Sequence, residues 1–284
     1  MKLVYLGTDA HYSCFEYLVR EHEVVALYSC GCIEDYFRDE GICELARQNN
    51  IRIHKETITG AAIEKYMDEG CFWFFSADYG RKIPVPADDR FRGVNMHASL
   101  LPEGRCYCPI ECAMERGLSE TGVTLHRLEE SFDTGDILFQ ERVPVLPGDS
   151  SVDLYMKCDL AALGITKEFA KDPETAWQGA KPQRERLPMW RVERYDEARL
   201  SHELTVDEAS CRYRIYNRMM RVKCAGSVWF IVSAEFGNAK PEYDEVMIGD
   251  RLIYRLADGH VRLALVEAHK PEEVWESIAY PFAF

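Results

Sequence analysis

The chain has 284 residues, 47% of them hydrophobic and 29% charged, which fits a soluble globular protein with a true core and room for one large domain or one medium and one small. Its formal net charge of −14 makes it a poor partner for polyphosphates unless its positive charge is segregated. The opening apolar run, Leu3–Leu6, is too short for an export signal, and no apolar stretch approaches the roughly 18 residues of a membrane span, so the cytoplasm is the expected compartment.

An odd count of 11 cysteines without an export signal points to reduced thiols. Cys30 and Cys32 form C-x-C, and Cys106, Cys108 and Cys112 form C-x-C-x3-C. Neither set has the paired C-x2-C spacing of a structural zinc site, so thiols rather than a metal centre are expected there.

Short apolar runs alternate with helical patterns along the first half. Leu3–Leu6 predicts a strand opening into the turn Gly7-Thr8-Asp9, and His11–Arg20 a helix with Phe15, Leu18 and Val19 on one face. Val24–Tyr28, Ile51–His54, Phe72–Phe75 and Val94–His97 read as further strands, with helices over Ile42–Gln48 and Ala61–Met67. This order is that of a mainly parallel, Rossmann-like sheet covered on both faces.

Pro109 stands at the first position of another helix that ends near Gly117. Strands follow over Thr121–Leu128 and Ile137–Val145. Ser150-x-x-Asp153 resembles a capping box and starts a helix with Val152, Met156, Leu160 and Leu163 on one side, ending near Asp172-Pro173.

Residues 176–204 lack a clear period and read as a linker between a domain over 1–175 and a smaller β-rich one over 205–284. Thr205-x-x-Glu208 is a second capping box, whose helix places Cys211, Ile215, Met219 and Val222 on one face. Strands over Val228–Val232, Glu245–Ile248, Arg251–Leu256 and His260–Val266, with hairpin turns at Gly249-Asp250 and Asp258-Gly259, suggest a barrel-like domain.

The chemistry is concentrated in Val94-Asn95-Met96-His97-Ala98-Ser99-Leu100-Leu101-Pro102-Glu103-Gly104-Arg105. Asn95 and His97 lie two apart on a strand, so both side chains leave the same face. They sit at its carboxyl end, where open α/β sheets bind ligands. A polar pair emerging from an apolar strand needs partners, since each unpaired buried group costs about 1–3 kcal/mol. Downstream, Leu128-Glu129-Glu130-Ser131-Phe132-Asp133-Thr134-Gly135-Asp136 is an acidic loop with a glycine turn; folded over the same sheet edge, it would face a carboxylate toward Asn95 and His97.

N-x-H-x-S-L-L-P followed by Arg105 and Pro109, then G-V-T-L-H over Gly122–His126, then D-T-G-D over Asp133–Asp136, resembles the N10-formyltetrahydrofolate-dependent formyltransferase family. The resemblance covers about residues 1–170; its motifs taken together are specific, and the second domain matches only in outline. It implies a catalytic trio of Asn95, His97 and Asp133 and N10-formyltetrahydrofolate as formyl donor. In such chemistry an amide and a protonated imidazole stabilise the oxyanion, and a carboxylate holds the imidazole and accepts the amine proton. It also implies a pterin site along Ser76–Ile83 and Leu128–Asp133, with Tyr79, Ile83, Leu128 and Glu130 as donor-binding residues, although Tyr79 equally suits packing. Ser99 and Arg105 are substrate-binding candidates; Ser99 equally suits a turn, and Arg105 a local carboxylate. The family's glycine after the arginine is replaced here by Cys106, a side chain where glycine relaxes a turn.

Relatives acting on methionyl-tRNA carry a basic insertion after the second strand. Here Ser29–Gly41 holds four acids and one arginine, which repel an RNA backbone. Arg214, Arg218 and Arg221 form an i, i+4, i+7 stripe, read either as a solvated face or as a phosphate contact. The favoured acceptor is a small amine, foremost a nucleotide-linked amino sugar. Methionyl-tRNA, a hydroxyornithine-type amine, and a binding module with a decayed site are the alternatives. Folate and the small-molecule amine are the expected partners, without nucleic acid, membrane or resident metal, and a homodimer is the expected assembly.

Overall fold

In a computed structural model, which describes residues 1–29, 39–105, 107–185, 187–190 and 198–267, the alternating apolar runs of the first half fold as one seven-stranded sheet. Its elements are β1 (Lys2–Gly7), α1 (Tyr12–Glu21), β2 (Glu23–Tyr28), α2 (Glu40–Gln48), β3 (Arg52–His54), α3 (Gly60–Asp68), β4 (Trp73–Ala77), β5 (Arg92–His97), α4 (Pro109–Glu115), β6 (Glu120–Arg127) and β7 (Ile137–Pro144), then α5 (Ser151–Lys171) and α6 (Pro173–Gln178). The strand order is β3-β2-β1-β4-β5-β6-β7. β1 to β5 pair in parallel, while β6 and β7 continue the sheet antiparallel. The order reverses between β1 and β4, the switch point at which such sheets open a crevice beyond their carboxyl ends.

Strand burial explains the apolar runs. Leu3, Val4, Tyr5 and Leu6 are fully buried, as is Phe74, with α1 and α3 contributing Phe15, Leu18, Ile63 and Met67. Burying each such side chain contributes about 1.5–3 kcal/mol.

α5 covers the sheet with a face other than the one expected. Val152, Met156 and Leu160 are exposed, while Leu154, Cys158, Ala162, Ile165 and Phe169 are buried. This helix is apolar on both sides, and its packing selects the stripe that meets the strands: the Phe169 ring lies 5.2 Å from Trp73 of β4. Asp172-Pro173 ends α5 and also starts α6, with the Asp172 carboxylate accepting from the Thr175 amide. Trp177 of α6 packs edge-on against Trp73 and lies beneath the Arg92 and Arg127 guanidinium groups. Lys181 then exchanges backbone hydrogen bonds with Ile137 of β7. Residues 176–185 of the expected linker are thus attached to the sheet, and the contacts assign Met1–Gly148 and Asp153–Arg191 to one unit.

The second unit, Asp149–Val152 with Val192–Phe284, contains α7 (Val206–Tyr216), β8 (Arg221–Cys224), β9 (Ser227–Gly237), β10 (Glu245–Ile248), β11 (Arg251–Arg255) and β12 (His260–Glu267). Its sheet runs β10-β11-β12-β9-β8, antiparallel throughout. It curls enough that Cys224 on one edge strand contacts Met247 on the other, 3.9 Å sulfur to sulfur. α7 opens with the Thr205–Glu208 capping box and closes at Asn217, whose φ of 38° takes the chain out of the helix.

That closure breaks the anticipated arginine stripe. Arg221 lies in β8 and is buried, Arg214 donates to the Asp149 carbonyl oxygen, and the side chain of Arg218 lies outside the described residues. The apolar face of α7 also differs from expectation: Ala209 and Tyr216 are buried and Cys211 is exposed.

Candidate functional site

Asn95 and His97 stand on β5, and the antiparallel register of β6 sets His126 opposite Asn95 and Thr124 opposite His97. Cross-strand partners share a face, so the four polar side chains form one patch at the sheet edge. His126 Nδ1 lies 2.8 Å from the Arg127 carbonyl oxygen, which can only accept. Nδ1 therefore carries the hydrogen, and Nε2 of the neutral ring accepts from Asn95 Nδ2 at 3.1 Å. Burial pushes His126 down to about 4, against an opposing pull from Asp133, so the ring stays neutral near pH 7. One Asn95 N–H is committed to His126, which orients the amide and leaves a second N–H for another acceptor.

His97 Nε2 lies 2.9 Å from the Gly104 carbonyl oxygen and donates to it. Nδ1 then faces Asp133, whose Oδ1 is 3.7 Å away. The same Oδ1 is 3.7 Å from His126 Nε2. Both imidazoles are buried, and the Asp133 side chain is only 12% exposed. The structure thus brings Asn95, His97 and Asp133 to one edge and adds His126 to them.

Asp133 adopts φ 56°, a left-handed conformation that Asp tolerates better than most residues. The loop that carries it is fixed at base and tip. At the base, the Arg127 amide donates to Asp136 O at 2.9 Å, and Arg127 pairs with the Asp136 carboxylate at 3.2 Å. Gly135 passes so close that a Cβ there would lie 2.0 Å from Arg127 O. At the tip, Arg105 donates twice to Phe132 O, at 2.8 and 3.2 Å, and once to Leu187 O. Gln183 Nε2 donates to the carbonyl oxygens of Asp133 and Gly135, both at 2.9 Å.

The other anticipated site residues fall into two groups. Ser99 is buried and donates to Glu103 O at 2.7 Å, closing the turn on which Gly104 stands, while the Arg105 donors go to backbone oxygens rather than to a carboxylate. Ile83 belongs to a buried cluster with Phe74 and Phe91, against which Tyr79 and Leu128 pack. The Tyr79 hydroxyl accepts from the Ile58 amide at 3.3 Å. Glu130 is exposed on the loop. Cys108 and Cys112 are buried thiols, whereas Cys30, Cys32 and Cys106 lie outside the described residues.

One carboxyl near the patch was not anticipated. Asp78 follows β4, next to β5, and accepts from the Thr8 hydroxyl. Burial raises it to about 6, opposed by the Thr8 hydrogen bond and by His11 and His97.

Residues 44–163 match the family described as "Formyl transferase". A methionyl-tRNA formyltransferase of Burkholderia thailandensis is 44% identical over 92 residues, 32% of this chain and 27% of the relative. That of Parvibaculum lavamentivorans is 28% identical over 232 residues, 75% of this chain and 73% of the relative. The chain spans about a quarter to a third of the length of the first curated relatives it matches. Among solved structures, an N-formyltransferase of Helicobacter canadensis, in complex with folinic acid and dTDP-3-aminofucose, superposes with TM-score 0.59 at 19% identity, covering 93% of this chain and 98% of that one. At that identity the likeness speaks for the fold. The matched stretch contains β3 to β7 and all of Asn95, His97, His126 and Asp133, so the polar edge of this sheet lies within the part of the chain that is similar to formyl transferases.

Proposed function

We propose that the chain transfers a formyl group from N10-formyltetrahydrofolate to the amine of a small molecule, a nucleotide-linked amino sugar, acting in the cytoplasm as a homodimer. The observation that carries this reading is the placement of the Asp133 carboxylate 3.7 Å from both His97 and His126. The residues suit a formyl donor. In this reading Tyr79 and Leu128, which pack against the buried cluster that holds Ile83, would stand beside a flat heterocycle, with the exposed Glu130 as an acceptor. The donor supplies a formyl carbon already activated toward amines.

The chain's own groups manage charge and protons. The second Asn95 N–H donates to the formyl oxygen as it gains negative charge, and His97 joins it when its Nε2–H exchanges the Gly104 carbonyl oxygen for the formyl oxygen. Asp133 stabilises the imidazolium and accepts, directly or through water, the proton lost as the amine nitrogen bonds to carbon. That proton balances the charge on the departing folate nitrogen. His126 holds the Asn95 amide in register, and Arg105 and Ser99 hold the loop and turn rather than the substrate.

Mixing the protein with formyl-folate and a panel of amines tests the acceptor class. The expected result is turnover of nucleotide-linked amino sugars that falls about 10²–10⁴-fold in His97→Ala. Turnover confined to methionyl-tRNA would instead support a second reading, which the names of the curated relatives favour. Against that reading stands the net charge of −14.

A further inference from the structure

Away from the polar patch, three potential metal ligands converge behind β1. His11 ends a short 3-10 turn, Asp9–His11, and Cys14 lies in the first turn of α1 three residues later. Asp159 approaches from α5, whose own backbone carbonyl there accepts from Ser13 Oγ at 3.5 Å. The His11 nitrogen, the Cys14 sulfur and an Asp159 oxygen all lie within 4.8 Å of one another. Cys14 is fully buried and His11 is 5% exposed.

The second observation is an orphaned pair of atoms. His11 Nδ1 and Asp159 Oδ1 are both buried without a hydrogen-bond partner, facing each other at 3.6 Å. Buried polar atoms left without hydrogen-bond partners are destabilising, and a cation between them would satisfy both. We propose that His11, Cys14 and Asp159 form a divalent transition-metal site, with zinc the fitting ion.

The donor set decides the ion. One imidazole nitrogen, one thiolate and one carboxylate oxygen suit a borderline-soft cation; calcium and magnesium take oxygen shells. Neutral imidazole with thiolate and carboxylate carries charge −2, so the loaded site is neutral inside a buried setting. Ligands about 2.0–2.3 Å from zinc stand roughly 3.3–3.8 Å apart in a tetrahedron, so closing atoms that lie within 4.8 Å onto the ion takes a contraction of up to roughly 1–1.5 Å. Three protein ligands leave a fourth position for water. The site ties the first turn of α1 to α5 and is independent of the formyl-transfer reading.

Cobalt(II) titration of the full chain, freed of metal by chelator dialysis, tests the proposal. Expected is uptake of one equivalent, with a near-ultraviolet thiolate-to-cobalt band and the strong visible absorption of four-coordinate cobalt, both abolished by added zinc. Cys14→Ser should lose the near-ultraviolet band, and Asp159→Asn should weaken binding at least tenfold while melting as a folded protein. No cobalt uptake by the wild type would overturn the proposal. So would a band that survives in Cys14→Ser, since it would place the thiolate on another cysteine. If Cys14→Ser does not fold, Asp159→Asn decides alone, and unchanged affinity there rejects the site.

Discussion

His126 shows how one neutral side chain sets the geometry of the patch. Its Nδ1–H is held by the Arg127 carbonyl, so Nε2 can only accept, and the Asn95 amide must turn an N–H toward it. Neutrality is the condition, and burial supplies it by lowering the ring to about 4. A base with a depressed folded-state pKa binds fewer protons folded than unfolded between that value and its ordinary 6.5, so stability falls as pH drops through this window. From pH 7 to pH 4 the wild type should lose on the order of 3 kcal/mol more than His126→Gln, read from urea midpoints at each pH. Identical pH slopes in the two proteins would contradict a buried neutral ring. Asn95 and His97 were legible from two-residue spacing at a strand tip. His126 was not, because it becomes their neighbour only through the antiparallel register of β5 with β6. The partners of Arg105 and Gln183 are backbone oxygens, which leave no residue-type signal in a sequence.

The loop from Leu128 to Asp136 is the element that turns a carboxylate into a site. Arg127 and Asp136 clamp its base, and Arg105 and Gln183 hold its tip, so Asp133 is placed before any ligand arrives. A preorganised charge needs no reorganisation at the moment of reaction. Gly135→Ala should move the loop, because its Cβ would meet Arg127 O at 2.0 Å. The expected outcome is a kcat at least tenfold lower with a melting temperature reduced by a few degrees; an unaltered rate would show that loop position does not matter. Elements of this unit were readable wherever apolar runs were short and isolated. α5 was misread in its facing because apolar residues occur on both of its sides. α6 was missed because Asp172-Pro173, a good helix stop, is also a good helix start. The apparent arginine stripe failed at Asn217, where one positive φ ends the helix before Arg221.

At the scale of the whole molecule, the first unit contains the whole polar cluster, and the second is a curled antiparallel sheet with one capped helix. Among the described residues no helix is long and apolar enough to cross a membrane. The central claim is that Asp133 serves the reaction through the His97 imidazole it faces. Single-turnover formyl transfer from N10-formyltetrahydrofolate to a nucleotide-linked amino sugar, measured beside folate affinity in the wild type and Asp133→Asn, tests it most directly. The predicted result is a rate about 10²–10⁴-fold lower with folate affinity changed by less than a few fold. A variant that transfers formyl at the wild-type rate would contradict the account.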